Sequence, residues 1–451
     1  MIRSRGAIAS APRSQVASMA GNEMGGKTGG HEGGNLGKPF RPLPIKALNA
    51  LGRGLARLGV VPIDLSREGL MAAAMKQNRL FDFGLPSFRP GLTKLLEALE
   101  SEARLNLFGR YFARRQMLEL LSHRLLLADY RRRNRDVAFE KIERPLFIVG
   151  LPRTGTTLLY GLLAEDPGNR APLSWEIDDP CPPARTETYH TDPRIETTRK
   201  RFEQVNRLAP GFQAIHPVGA LMPQECIVTT ASEFMSIRFQ MCFDVPSYDE
   251  WLLEQDMEPT YQHHRRFLQH MQSRHAGERW ILKSPGHLGP LDALFAVYPD
   301  AMVIQTHRDP IRVIPSVASL EYTMRMVSSD EVDPARVGRQ MLRTWSTLLE
   351  QGMAARAAMP ERNARILDLE MREIVSAPMA TVEKIYRHFD LELSDEARRR
   401  MQAHLAKHPK DEFGTHRYSL DDFALDADEV DAAFKGYRER FGIASEPFGK
   451  R

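Results

Sequence analysis

Apolar side chains recur every three or four positions between residues 42 and 140, and beyond residue 145 they gather into short unbroken runs. The first pattern predicts helices. Ile45, Leu48, Leu51, Leu55 and Leu58 make one stripe; Leu92, Leu95, Leu96 and Leu99, after Pro90 and Gly91, a second; Leu105, Phe108, Phe112, Leu118, Leu121 and Leu125 a third. Arg131, Arg132, Arg133 and Arg135 close the third, where positive charge suits a helix C-terminus. Lys46, Arg53 and Arg57 lie within the first stripe. A basic amphipathic helix suits peripheral contact with a membrane surface, although packing on its own protein is the commoner fate.

The second pattern begins with Leu146-Phe147-Ile148-Val149, apolar without alternation, as in a strand covered on both faces of a parallel sheet. Trp280 to Lys283, Ala301 to Gln305 and Arg365 to Leu369 repeat it, with helical stretches between. Residues 171–275, rich in proline, read as an insertion between strands, and 378–408 as helices. The remainder, with Tyr418, Phe423 and Phe434, reads as a loop and a final helix. Strand–helix alternation predicts an α/β fold: a P-loop-like parallel sheet flanked by helices at 144–451, with an N-terminal helical annex at 41–143. Residues 1–40 are set apart as a glycine-rich tail. Arg3, Arg5 and Arg13 precede its first acid, Glu23, so it reads as a disordered leader, a start really at Met19 or Met24, or a transit peptide.

Composition narrows the classes. The 62 Lys and Arg against 58 Asp and Glu give a formal charge of +4, which calls for no nucleic acid but leaves room for a local basic pocket. No run approaches the ~18 apolar residues of a transmembrane helix. Cys181, Cys226 and Cys242 lack the spacing of a disulfide framework or a zinc site, so three ordinary thiols in a reducing, cytoplasmic compartment are expected.

Chemistry concentrates at two strand ends. Gly150-Leu151-Pro152-Arg153-Thr154-Gly155-Thr156-Thr157 joins the first strand to a helix, and a glycine-bearing turn there offers free amide N–H groups to an anion. The spacing is that of a Walker A loop, but Thr156 replaces the lysine and the cation has moved to Arg153. Such a loop suits a single 5′-phosphate bearing one transferable group. The second strand end runs into His307-Arg308-Asp309-Pro310, where open α/β sheets bind ligands. Pro315 predicts a break or late start of the next helix, with Ser316 at its beginning.

With both signatures in hand, Pro152 to Thr157 and Arg308-Asp309-Pro310 with Ser316, the chain resembles the sulfotransferases that use 3′-phosphoadenosine 5′-phosphosulfate. The likeness is nearest to the bacterial and tyrosylprotein-type branch. It extends to Ile281-Leu282-Lys283-Ser284-Pro285, Tyr298-Pro299-Asp300-Ala301, Asp368-Leu369-Glu370, Phe81-Asp82-Phe83-Gly84 and Gly414 to Leu420. The resemblance implies that Arg153, Thr154, Gly155, Thr156 and Thr157 hold the 5′-phosphosulfate, and Arg308 and Ser316 the 3′-phosphate. It implies leaving-group stabilisation by Arg153 and Lys283, and no metal. Glu176, in Leu173-Ser174-Trp175-Glu176, is the expected general base, with His287, His216 and Glu225 as rivals. The acceptor is a small-molecule, lipid or peptide hydroxyl; Trp175, Phe212, Phe234, Phe239, Phe243 and Trp251 line its pocket or belong to the core. A P-loop kinase or NTPase is the alternative enzyme, but it needs the missing lysine and an acid for Mg²⁺. A non-catalytic nucleotide-binding scaffold is the third reading. The oligomeric state is not legible.

Overall fold

Every position of the strand β1 (Leu146–Gly150) is buried, as its unbroken apolar run requires. The computed structural model describes residues 41–208, 219–407 and 418–446. The tail at 1–40, Phe212, His216 and the stretch from Gly414 to Arg417 lie outside the described residues. Ahead of β1 come four helices: α1 (Leu43–Arg57), α2 (Arg67–Asn78), α3 (Phe88–Ser101) and α4 (Leu107–Arg133). After it come α5 (Thr156–Ala164) and the short β2 (Asn169–Arg170). An insertion follows with α6 (Ser174–Asp178), α7 (Pro193–Leu208), α8 (Cys226–Thr230), α9 (Arg238–Cys242), α10 (Pro246–Leu253) and α11 (Glu258–Gln272). Then run β3 (Arg279–Lys283), α12 (Leu291–Val297), β4 (Met302–His307), α13 (Pro310–Ser328), α14 (Pro334–Ala358) and β5 (Ile366–Glu370). The described chain ends with α15 (Met371–Ser376), α16 (Pro378–His388), α17 (Asp395–Lys407), α18 (Ala427–Ala433) and α19 (Lys435–Phe441).

The five strands form one parallel sheet in the order β2-β3-β1-β4-β5. Register places Ile148 opposite both Lys283 and Ile304, and Gly150 opposite Thr306. The loop after β1, Lys283 and Arg308 therefore meet along the carboxyl edge of three adjacent strands. Alternation sorts the faces. Phe147, Val149, Leu282 and Val303 pack with α11 and α12, while Leu146, Ile148, Ile281 and Ile304 pack with α5 and α16.

α2 falls within the expected helical annex though its apolar stripe is weak; Ser66 caps it by accepting the Gly69 N–H at 3.2 Å. Two expectations need correction. Pro90 and Gly91 lie inside α3 rather than before it; Pro90 falls in the first turn, where its absent N–H costs nothing. Pro315 does not break α13 or delay its start, because only one intrahelical bond is lost and Val313, Ile314, Val317 and Ala318 bury the helix around it. Ser316 thus sits in the second turn, buried, rather than at a helix start. Of the aromatic candidates, Trp175, Phe234, Phe239 and Phe243 are core, and Trp251 is half-buried. The three cysteines are free thiols.

The insertion is held to the body by charge as well as apolar contact. Arg325, fully buried on α13, donates to the Gln240 carbonyl at 2.7 Å, Glu321 at 2.7 Å, Gln340 at 2.6 Å and Asp244 at 3.2 Å. Burial, only partly offset by Arg325, pushes the Glu321 carboxyl up to about 7. Arg325→Met is expected to destabilise the fold by about 3–5 kcal/mol, because it leaves buried carboxylates without their cation. A chemical-denaturation midpoint within error of the unaltered protein would refute this.

Candidate active site

The turn after β1 is shaped to receive an anion. Gly150 (φ 138°) runs so close to β4 that a Cβ would collide with Thr306. Thr154 Oγ1 donates to the Leu151 carbonyl at 2.6 Å and meets Thr306 Oγ1 at 2.7 Å, which locks the turn from beneath. Gly155 (φ 82°) then caps α5. Arg153 (φ 64°) takes a left-handed conformation that costs a residue with a Cβ about 1–2 kcal/mol. In return its side chain reaches solvent and its carbonyl accepts from Arg308 Nη1 at 3.0 Å. The amides of Arg153, Thr154, Gly155, Thr156 and Thr157 donate to no acceptor among the described residues. A row of free N–H groups at a helix start is an anion nest. Of the three threonine side chains, that of Thr154 faces inward, Thr156 is buried and Thr157 is exposed.

Beside this turn β3 delivers Lys283, whose ammonium is 2.6 Å from Glu225 Oε1 and 3.4 Å from Thr157 Oγ1. Glu225 sits at the start of α8, on a segment stitched to residues 172–175. Gln224 N–H donates to the Pro172 carbonyl at 2.8 Å, and Ser174 and Trp175 N–H donate to the Met222 and Ala220 carbonyls at 3.1 and 3.2 Å. Tyr160 of α5 donates to the Gln224 carbonyl at 3.0 Å.

Glu176 occupies a different environment. It is 3% exposed. One carboxylate oxygen accepts from Arg170 at 2.6 Å; the other accepts from the Tyr189 hydroxyl at 2.8 Å and the Leu173 N–H at 3.3 Å. Its partners fasten α6, and α6 holds the segment that carries Glu225. Neither Lys283 nor Thr157 is among them. His287 is buried, its Nδ1 paired with Tyr261 at 2.8 Å and its ring edge-on to Phe147, and it also lines a cavity between α10, α11 and α14. Burial pushes its imidazole well below the ordinary range.

A second cluster of positive charge lies at the end of β4. Arg308 forms a forked pair with Glu446, both contacts at 3.2 Å, and Arg312 one turn on approaches the same carboxylate at 3.8 Å. Glu446 N–H donates to Asp309 at 2.6 Å. A carboxylate on two guanidinium groups marks where another anion would bind. Beneath it, Asp368 accepts from His307 at 2.9 Å and from Arg356 at 2.7 and 2.9 Å. Burial raises the Asp368 carboxyl, but those donors outweigh it and hold it well below the usual range. Arg312 was foreshadowed only by its place four residues after Arg308; Glu446, 138 residues away, left no local signal.

An apolar cavity of about 670 Å³ opens between α10, α11 and α14. Ile227 and Ser284, near neighbours in the chain of Glu225 and Lys283, line one end. Arg153, Thr157, Lys283 and Arg308 do not line it. Among the described residues no three His, Cys, Asp or Glu side chains converge as metal ligands.

A parallel sheet with an anion nest after its central strand, a strand-end lysine and an arginine pair beyond the next strand defines a known class. Residues 145–395 match the profile of the sulfotransferase family. The chain belongs to that family and is a sulfotransferase. It is similar to sulfotransferase STF1 of Mycobacterium tuberculosis H37Rv, with 35% identity, a TM-score of 0.75, and 82% of this chain and 98% of that one covered. It is likewise similar to sulfotransferase STF9 of Mycobacterium avium, at 28% identity and a TM-score of 0.79, covering 86% of this chain and 99% of that one. The omega-hydroxy-beta-dihydromenaquinone-9 sulfotransferase Stf3 of Mycobacterium bovis is 26% identical over 287 residues, 61% of this chain and 70% of that protein.

Proposed function

We propose that this sulfotransferase moves the sulfuryl group of 3′-phosphoadenosine 5′-phosphosulfate to a hydroxyl on an apolar acceptor of the lipid class, with Glu225 as general base. The observation that carries this reading is the Glu225–Lys283–Thr157 contact at the mouth of the amide-lined turn. The free amides and Arg153 suit the 5′-phosphosulfate, and Arg308 with Arg312 suits the 3′-phosphate. Ser316, buried in the second turn of α13, is the further hydroxyl on that side. The donor supplies an electrophilic sulfur on a phosphate leaving group.

The residues divide the work. Glu225 accepts the acceptor's proton as the new oxygen–sulfur bond forms. The electron pair of the breaking sulfur–oxygen bond goes to the phosphate oxygen, where Lys283 and Arg153 place positive charge. Thr157 orients the Lys283 ammonium. Glu176 takes a positioning role through α6. The acceptor class is supported by the lipid named for the Mycobacterium bovis relative and by the largely apolar cavity whose lining includes Ile227, Ser284 and His287. A cytoplasmic location suits this donor; among the described residues no helix is long and apolar enough to cross a membrane.

Adenosine 3′,5′-bisphosphate without added metal is expected to stabilise the fold by about 2.7 kcal/mol at a hundred times its Kd. Arg308→Ala should weaken that binding by ~1.5–3 kcal/mol, the worth of hydrogen bonds to a charged group. Calorimetric titration and melting curves measure both. A larger stabilisation by ATP with Mg²⁺ would return the chain to the kinase alternative.

A further inference from the structure

Five of the ten large apolar side chains that face solvent among the described residues lie on α1 or the turn behind it: Leu43, Leu51, Leu58, Val60 and Val61. Leu43 is 79%, Leu58 77% and Leu51 58% exposed. The helix packs through its other side. Asn49 is buried and accepts the Phe108 N–H at 3.0 Å, Gly52 abuts Leu107, and Ile45, Leu48 and Leu55 are half-buried.

At 3.6 residues per turn the solvent side divides into two sectors. Leu43, Ala47, Leu51 and Leu58 share one; Lys46, Arg53 and Arg57 share the sector beside it. The helix contains no acidic residue. Arg53 reaches Asp330 at 3.1 Å, while Lys46 and Arg57 meet no acid among the described residues. An apolar strip flanked by cations on a helix that is otherwise anchored matches the boundary of a bilayer, with acyl chains below and phosphates above.

We propose that α1 and the turn at Val60 and Val61 dock this protein on an anionic lipid surface. Leu43, Leu51, Leu58 and the two valines enter the interface, and Lys46 and Arg57 lie against headgroup phosphates. Two other occupants fit less well. Residues 1–38 hold no aromatic side chain and carry five basic residues against two acidic, so they repel the charge on α1. A second copy in a two-fold contact sets the same cations against themselves. The proposal does not depend on the donor or acceptor assigned above.

The test is partition of the full chain onto vesicles of phosphatidylglycerol and phosphatidylcholine, against phosphatidylcholine alone. Binding is expected on the anionic vesicles only, and it should weaken as salt rises. Leu51→Ser with Leu58→Ser should lower the partition coefficient about tenfold per leucine. Lys46→Ala with Arg57→Ala should lower it about fivefold per residue. All four sites are exposed, so melting curves and turnover on a water-soluble acceptor should match the unaltered chain. Four results would overturn the proposal: no binding by the unaltered chain; equal binding by all variants; binding only after residues 1–37 are removed, which makes that segment the occupant; or loss of a dimer, rather than of vesicle binding, in the leucine variant.

Discussion

Glu225→Gln is expected to cut turnover by about 10²–10⁴, the usual contribution of a positioned base. The amide keeps the shape of the side chain and can still meet Lys283, but it cannot accept the acceptor's proton. A phenol of low pKa needs little help with deprotonation and should recover part of the lost rate. Glu176→Gln should behave differently. Its carboxylate is the buried partner of Arg170 and Tyr189, so the substitution should cost about 3–5 kcal/mol of stability. The protein that remains folded should keep most of its turnover. A stably folded but inactive Glu176→Gln beside an active Glu225→Gln would return the base to Glu176.

Lys283→Met is expected to lower turnover by about 10²–10³, the scale seen when one preorganised donor to developing charge is removed. Methionine retains an apolar stem in a position that is only 6% exposed, so the strand end should hold its place. If Lys283 serves the leaving group as proposed, the low-pKa phenol should not rescue this variant, because a better acceptor does not replace charge lost at the other end of the transfer. Turnover within fivefold of the unaltered protein, or full recovery with the phenol, would remove Lys283 from the leaving-group side. The two substitutions thus separate the ends of the in-line transfer by chemistry rather than by size of effect.

Much of the sheet could be read in advance because its signal is local. A strand covered on both faces has no polar alternation, and β1, β3, β4 and β5 each lie within two residues of an apolar run. β2 has only two residues at the sheet edge and leaves no such run. The turn after β1 was legible for the same reason, since its glycines, threonines and arginine fall within eight consecutive positions. The sequence offers Glu176 and Glu225 alike as plain carboxylates, and the structure distinguishes them by which cation each meets. Arg170 is six residues from Glu176, whereas Lys283 is 58 from Glu225. Pro315 misled because local propensity weighs a lost hydrogen bond without the burial that offsets it. The Arg308–Glu446 pair joins chain segments 138 residues apart, beyond any pattern of spacing.

The strand order also sets a timetable for synthesis. β1 ends at Gly150, yet its two sheet neighbours begin only at Arg279 and Met302. At ~5–20 residues per second the ribosome needs on the order of ten seconds to supply the first of them. Through that interval the most apolar strand of the sheet has both edges unpaired, a template for joining another nascent chain. Of the helices that cover its faces, only α5 follows at once, and it shields one face and neither edge. A chain that stops before Arg279 has no sheet at all, because β2 too pairs only with β3. Conditions that lengthen this wait, such as starvation for an amino acid used in the insertion, therefore act on how much protein is recovered rather than on how fast each recovered molecule works.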